Sequence, residues 1–329
     1  MPHFSSAMFT VSAVVLALFS GGAGAQGSAA TFPSRPITII SPFAPGGSVD
    51  IESRLYAPVA SKILGQPFVV DYKAGGGTTI GIGYVVKAAP DGYTLLGHTT
   101  AMTVVPAFYK DLPFNIVKDL APVSLMAMRT SALMASNTFP PKNFAEYIAY
   151  ARANPGKVNY ATAGNGEISH LAGAWLHSLT GTTVTFVPFK GTGPALQELM
   201  SGRVDISSGI MSAALPLLQS GKVRILAVLG HQRAKQYPDI PTVAEMGVPG
   251  YDYTAWMGFL APSATPPAIV NKLSEAFAQV VKTPEIARVL EGQSATPVGS
   301  TPAQFKQLIS TEVARWKKVV DDSGITLAE

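Results

Sequence analysis

"ITIISPFAPGGSVDIESR", residues Ile37 to Arg54, runs from a β-branched strand through Pro-Phe and a glycine pair into the start of a helix. Ile51, Leu55, Val59 and Ile63 recur at i, i+4 spacing, which predicts a helix from about Val49 to Leu64. A junction so bare of side chains leaves the first helical N–H groups pointing outward, an arrangement that suits a bound anion. Taken singly, it is also an ordinary tight turn. Its meaning depends on whether other junctions converge on the same place.

Three more have the same form. "AGGGTTIG" (Ala74 to Gly81) follows "VVDYK", "GNGEISH" (Gly164 to His170) follows "VNYATA", and "GTGPA" (Gly191 to Ala195) follows "TFVPFK". In open α/β sheets the carboxyl ends of the strands form the crevice where ligands sit. Glycine there lets backbone approach a ligand closely. "TIISPFAPGGS" and "VTFVPFKGTGP" also share a strand, Pro-Phe, one residue and a Gly/Pro turn. This reads as weak internal pseudosymmetry, with two lobes offering the same device to a common cleft.

Between these junctions the alternation continues. "PFVVDY", "YTLLGHTT", "TVTFVPF", "VDISSGI" and "VRILAVLG" read as strands. "LAPVSLMAMRTSALMAS" reads as two extended pieces, and "FAEYIAYARAN" and "HLAGAWLHSLTG" as helices, the latter with Gly181 as C-cap. Two long helices are expected near Ala268 to Val281 and Pro302 to Asp321. Such alternation argues for an α/β fold with doubly wound parallel sheets, and the length fits two sheets better than one.

The first 34 residues carry no Lys, Arg, Asp or Glu, and "MFTVSAVVLALF" is followed by Ala23-Gly24-Ala25. That is the pattern of a secretory signal, expected to be cleaved after Ala25, although the n-region lacks Lys or Arg. No other segment is apolar and long enough to span a membrane. With no cysteine in the chain, disulfides, thiolate metal sites and a Cys nucleophile are excluded. The net charge of +4 lies on scattered residues, which gives no support to nucleic-acid binding.

Reactive constellations are missing too. There is no G-x-S-x-G, H-E-x-x-H, G-x-G-x-x-G or P-loop motif, so no catalytic residue, metal ligand or cofactor is assigned. Beyond His3, the histidines are His98, His170, His177 and His231. His170 reads as a helix-start hydrogen-bonding residue and His177 as a solvated surface residue. Asp50, in a helix first turn, and Asp205 read as structural.

"PFAPGGSVDIESR", "KAGGGTTIG", "PDGYTLL", "ATAGNGEISHLAG", "VPFKGTGPALQELMSGRVD", "PTVAEMGVPGYD" and "WMGFLAPSATP" occur in that order. The ordered set resembles the Bug family, the periplasmic substrate-binding proteins of tripartite tricarboxylate transporters, from about Pro33 to the C-terminus. The resemblance implies a two-lobed, type II periplasmic-binding-protein (Venus-flytrap) fold with an interlobe cleft. Pattern and resemblance together place one lobe at residues 26–125 plus 250–329 and the other at 126–249. The ligand implied is a small organic acid: a dicarboxylate, a tricarboxylate, an acidic amino acid or an aromatic acid. The partner implied is an inner-membrane permease, and a monomer is expected.

Carried over by position, the first lobe contributes Phe43, Gly46, Gly47, Ser48, Thr78, Thr79, Thr99 and Thr100. The second contributes Thr162, Gly164, Asn165, Gly166, Ser169 and Lys190 or Gly191. Glu167 stands where relatives often have Ser or Thr. Pointing away, it is an ordinary exposed acid; facing the cleft, it repels a second carboxylate or pairs with an amine or hydroxyl. Ser207 and Ser208 replace the Asp or Asn that relatives often carry, which weakens the case for an amino-acid ligand. Phe43 and Phe189 either sandwich an apolar ligand body or pack under their turns. Signalling to a periplasmic sensor domain and a secreted hydrolase remain the rival readings.

Overall fold

The computed structural model describes residues 31–109 and 111–325, so the expected signal segment lies outside the described residues. β1 (Ile37–Ser41), β2 (Phe68–Tyr72), β3 (Thr94–Thr99), β4 (Leu120–Arg129), β10 (Ala255–Pro262) and β11 (Ala295–Pro297) form one sheet, ordered β11-β4-β10-β3-β1-β2. β5 (Ser131–Ser136), β6 (Asn159–Thr162), β7 (Thr185–Pro188), β8 (Ile206–Ile210) and β9 (Val223–Val228) form the other, ordered β7-β6-β8-β5-β9. The chain leaves the first sheet after Arg129 and returns to it at Ala255.

Strand direction follows from those two crossings. β2, β1 and β3 run parallel, as do β7, β6 and β8. β10 is antiparallel to β3 and β4, and β5 is antiparallel to β8 and β9. The parallel, doubly wound sheets expected from the sequence also carry antiparallel strands, so both are mixed. The reason is geometric: β5 and β10 each begin at a crossing, so they must run away from the edge toward which the parallel strands run. Register fixes the same edge, since Thr99 pairs with Met257 near the start of β10 and Ile210 pairs with Ser131 at the start of β5. The carboxyl ends of the parallel strands in both sheets thus meet at the crossings.

Helices cover both faces of both sheets. On the first sheet, Ile39 packs with Val49 and Tyr56 of α1 (Ser48–Leu64) and with Leu273 and Phe277 of α8 (Pro267–Lys282). Ile40, on the opposite face, packs with Ile82 of α2 (Thr79–Val86), Val105 of α3 (Ala101–Phe108) and Ile309 of α10 (Pro302–Ser323). Successive strand residues turning to opposite cores explain the unbroken apolar run of β1. The second sheet is enclosed by α4 (Phe144–Ala153) and α5 (Ile168–Thr180) on one face, and by α6 (Thr192–Met200) and α7 (Met211–Gln219) on the other. Helix α9 (Pro284–Gly292) leads into β11.

Helix α10 ties the two halves together. Its Phe305 and Ile309 lie in the core of the first sheet, whereas Trp316, Val319 and Val320 lie in the core of the second. Each buried side chain of this kind contributes about 1.5–3 kcal/mol. A Thr301–Gln304 capping box starts the helix and Gly324, with φ of 65°, closes it.

The pseudosymmetry read from "PF" and glycine does not match the topology. β1 is flanked on both sides in its sheet, whereas β7 is an edge strand. By position β1 corresponds to β6 and β2 to β7, so the two Pro-Phe turns share local chemistry at non-equivalent sites.

Candidate functional site

In the first sheet, adjacent β3, β1 and β2 end side by side, and the loops after them carry the predicted residues. Gly47 is the N-cap of α1 and no side chain caps the helix. Among the described residues, the amides of Ser48, Val49 and Asp50 find no acceptor. Gly46 has φ of 81°, a left-handed turn that glycine enters without strain. Asp50 does not block the helix start. Its carboxylate accepts the Gly46 N–H at 2.8 Å, the Tyr72 hydroxyl at 2.8 Å and Arg54 Nε at 2.6 Å. The Gly46 amide leads these contacts in holding Asp50 below the usual carboxylate range.

Thr78 precedes α2 at φ of 79°, a strained conformation for a β-branched residue. Its hydroxyl is buried and has no partner among the described residues. Thr79 donates to the Gly76 carbonyl. Phe43 is partly buried, packs against the core and meets the His98 ring edge-on at 5.3 Å. His98 is fully buried; burial pushes it down to about 3, and Nε2 has no partner among the described residues. Its Nδ1 accepts the Thr99 N–H at 2.9 Å. The sequence singles out Thr99 and Thr100 but gives His98 no role, although it directly precedes them at the end of β3.

A second layer locks this half. Thr100 Oγ1 accepts the Trp256 backbone N–H, and the Trp256 indole donates to Glu312 at 2.8 Å, where Thr103 also donates. Burial pushes the Glu312 carboxyl up to about 7. Glu52, one turn into α1, is buried against Arg129 at 2.9 Å and accepts from Tyr56. Burial raises Glu52 despite its Arg129 partner. The pair joins the helix that opens the site to the strand that ends at the crossing.

In the second sheet, β6 and β7 end together: Phe189 N–H donates to the Thr162 carbonyl and Gly191 N–H to that of Ala163. Gly191, with φ of 109°, precedes α6 without a side-chain cap. Thr162 donates to the Gly164 carbonyl, Ser169 Oγ accepts the Ala163 N–H, and Gly166 N–H donates to His170 Nδ1 at 3.1 Å. His170 is thereby the helix-start acceptor expected. Asn165 lies in this loop, and Lys190 is exposed beside Gly191. Phe189 packs against the core under its turn. Asp205 accepts the Asn159 N–H, a structural role.

His177 corrects the sequence reading. It is buried rather than solvated, with Nε2 at 2.8 Å from the Tyr147 hydroxyl and Nδ1 at 2.7 Å from Thr182 Oγ1. Burial pushes it down to about 4. The i, i+7 spacing put it on the core face of α5, not the outer one.

Among the described residues there is no cluster of side chains that could hold a metal ion, and no helix is long and apolar enough to cross a membrane. Residues 53–325 match the model of the tripartite tricarboxylate transporter family receptor. BugT of Bordetella pertussis is 35% identical over 317 residues, covering 95% of this chain and 97% of BugT. Among solved structures, R. palustris Rpa4515 with adipate is 33% identical at a TM-score of 0.77, covering 90% of this chain and all of that one. MatC from Rhodopseudomonas palustris with bound malate is 35% identical at a TM-score of 0.74, covering 88% of this chain and all of that one. The chain belongs to the receptor family of the tripartite tricarboxylate transporters, periplasmic solute-binding proteins and not enzymes.

Proposed function

We propose that the protein, exported by the N-terminal segment that reads as a signal peptide, captures a small organic acid between two lobes and delivers it to a tripartite membrane permease. The lobes pivot at Arg129–Ser131 and Tyr253–Ala255, close to the boundaries read from the sequence. One observation carries this reading. The starts of α1, α2, α3, α5, α6 and α7 all lie at the carboxyl ends of parallel strands and none has a side-chain cap; α8 and α9 are uncapped as well, so what distinguishes these six is that they converge on one edge of the two sheets. Unsatisfied amides at the positive ends of helix dipoles are suited to a carboxylate.

Phe43, Gly46, Gly47, Ser48, Thr78, Thr79 and Thr99 form the first wall of the site, with Thr100, buried and bonded to the Trp256 N–H, locked behind it. Thr162, Gly164, Asn165, Gly166, Glu167, Ser169, Lys190 and Gly191 form the second. Backbone amides and hydroxyls satisfy the acid without a fixed cation, and bridging waters adapt the fit. Closure brings the walls together by hinge motion. Adipate and malate, bound by the relatives, are the first acids to try.

Thermal denaturation against a panel of aliphatic, hydroxylated, amino and aromatic acids tests the reading. A ligand at about 100 times its Kd adds roughly 2.7 kcal/mol, which raises Tm by several degrees. Absence of any shift after the protein is unfolded, dialysed and refolded would reject the organic-acid assignment.

A further inference from the structure

Helix α5 is the positional counterpart of α1, because each follows the strand flanked by the parallel pair of its sheet. Their starts differ in charge. The N-cap of α1 is Gly47, and the nearby Asp50 is tied up by Gly46, Tyr72 and Arg54. The N-cap of α5 is Glu167, whose side chain makes no capping bond to the second or third helical amide. Glu167 stands at the start of α5, which follows the carboxyl end of β6.

The position of Glu167 is fixed by two neighbours. Its Cγ folds over Gly164, 2.9 Å from the point a Cβ on that glycine would occupy, and the Phe189 carbonyl borders the same point. Glu167 is thus exposed to solvent but flanked by both second-lobe loops. Desolvation by the surrounding protein raises its pKa, opposed by the Ile168 N–H. Among the described residues no Lys, Arg or His forms an ion pair with it.

We infer that Glu167 is a specificity-determining residue that makes the site asymmetric: α1 takes the carboxylate of the ligand, and Glu167 takes a cationic nitrogen or another N–H or O–H donor at its far end. The inference rests on the proposed capture of an organic acid. A ligand with a second carboxylate at that end would face a like charge as closure removes water, and like charges repel most where water is excluded. The ligand class is therefore an amino- or hydroxy-substituted monocarboxylic acid with the donor remote from the carboxylate.

Matched acids test this. Adipate, 6-aminohexanoate, 6-hydroxyhexanoate and hexanoate, with the four- and eight-carbon members of each series, are titrated calorimetrically into the wild type, Glu167→Gln and Glu167→Ser. Unliganded melting temperatures equal to wild type establish that the variants fold. The wild type is expected to favour the amino acid over the dicarboxylate of equal length, and both variants to shift that ratio toward the dicarboxylate by about tenfold or more. Acids bound with the same preference by all three proteins would overturn the role of Glu167 and leave organic-acid capture standing. Silence of all three proteins toward every acid would overturn both.

Discussion

The junctions at Gly46–Ser48 and Gly164–Glu167 occupy equivalent places in the two sheets, yet they are held in different ways. The first is braced from behind by side chains: Asp50 gathers Gly46, Tyr72 and Arg54, and Glu52 ties α1 to Arg129. The second is braced within its own loop and helix, by Thr162, Ser169 and His170 acting on neighbouring backbone. In both, the fold aims helix amides at the same edge. The difference is that the carboxylates at the first helix start are tied to Gly46, Tyr72, Arg54 and Arg129, whereas Glu167 at the second has no ion-pair partner among the described residues, and the proposed division of ligand groups between the walls rests on that contrast.

The largest expected effect comes from breaking the brace of the first wall. Arg129→Ala strands the buried Glu52 carboxylate, and a loss of about 3–5 kcal/mol is expected in denaturant unfolding. In the second wall, His177→Phe removes the partner of the buried Tyr147 hydroxyl, while Thr182 keeps Thr180, and is expected to cost about 1–3 kcal/mol. If the second loss equals or exceeds the first, the first wall is not the more strongly braced of the two.

A pH series sharpens the same contrast. Glu312, behind Thr100, has a native pKa of about 7 against an ordinary 4.5, so the native state holds its proton more tightly. Its contribution is complete below about pH 4.5 and is lost as pH rises through 7, by roughly 3 kcal/mol at most. His177, behind the second wall, has a native pKa of about 4 against 6.5, so its contribution is present above 6.5 and lost as pH falls toward 4. Fully buried His98 slopes in the same direction as His177. Tm of wild type and Glu312→Gln, compared between pH 4.5 and 8, is expected to diverge in favour of the variant up to about pH 7 and to level off above it. Parallel curves would remove Glu312 from the brace.

The smallest effect on stability is expected from Thr78→Gly. Glycine relieves a left-handed threonine, so Tm is expected to hold or rise slightly, offset by the greater freedom of the unfolded chain. Acid affinity is expected to fall about tenfold as the unpartnered hydroxyl is lost. Unchanged affinity would remove Thr78 from the ligand wall.

What was legible in the sequence was local. The β1–α1 junction, the four glycine loops, the Gly181 cap and the structural roles of Asp50 and Asp205 all depend on residues near one another or on turn chemistry. Helix α3 was missed because Pro106 and its Thr and Val residues obscure a helical pattern. Helix α9 and β11 are short and follow a long helix closely, so α8 drew the periodicity to itself. The buried charges were not legible at all. Glu52 meets Arg129 across 77 positions and Glu312 meets Thr103 across 209, and only the fold brings such partners together.

The most direct test is a crystal structure of the protein with the acid that stabilises it most. The expected result is a carboxylate at about 3 Å from the amides of Ser48 and Val49, enclosed on the other side by the Gly164–Glu167 and Gly191 loops. Binding at another place would contradict it. The clearest such outcome is acid seated only in the 430 Å³ cavity bordered by Gly230, Arg233, Gln236 and Ser294, with the glycine loops left open.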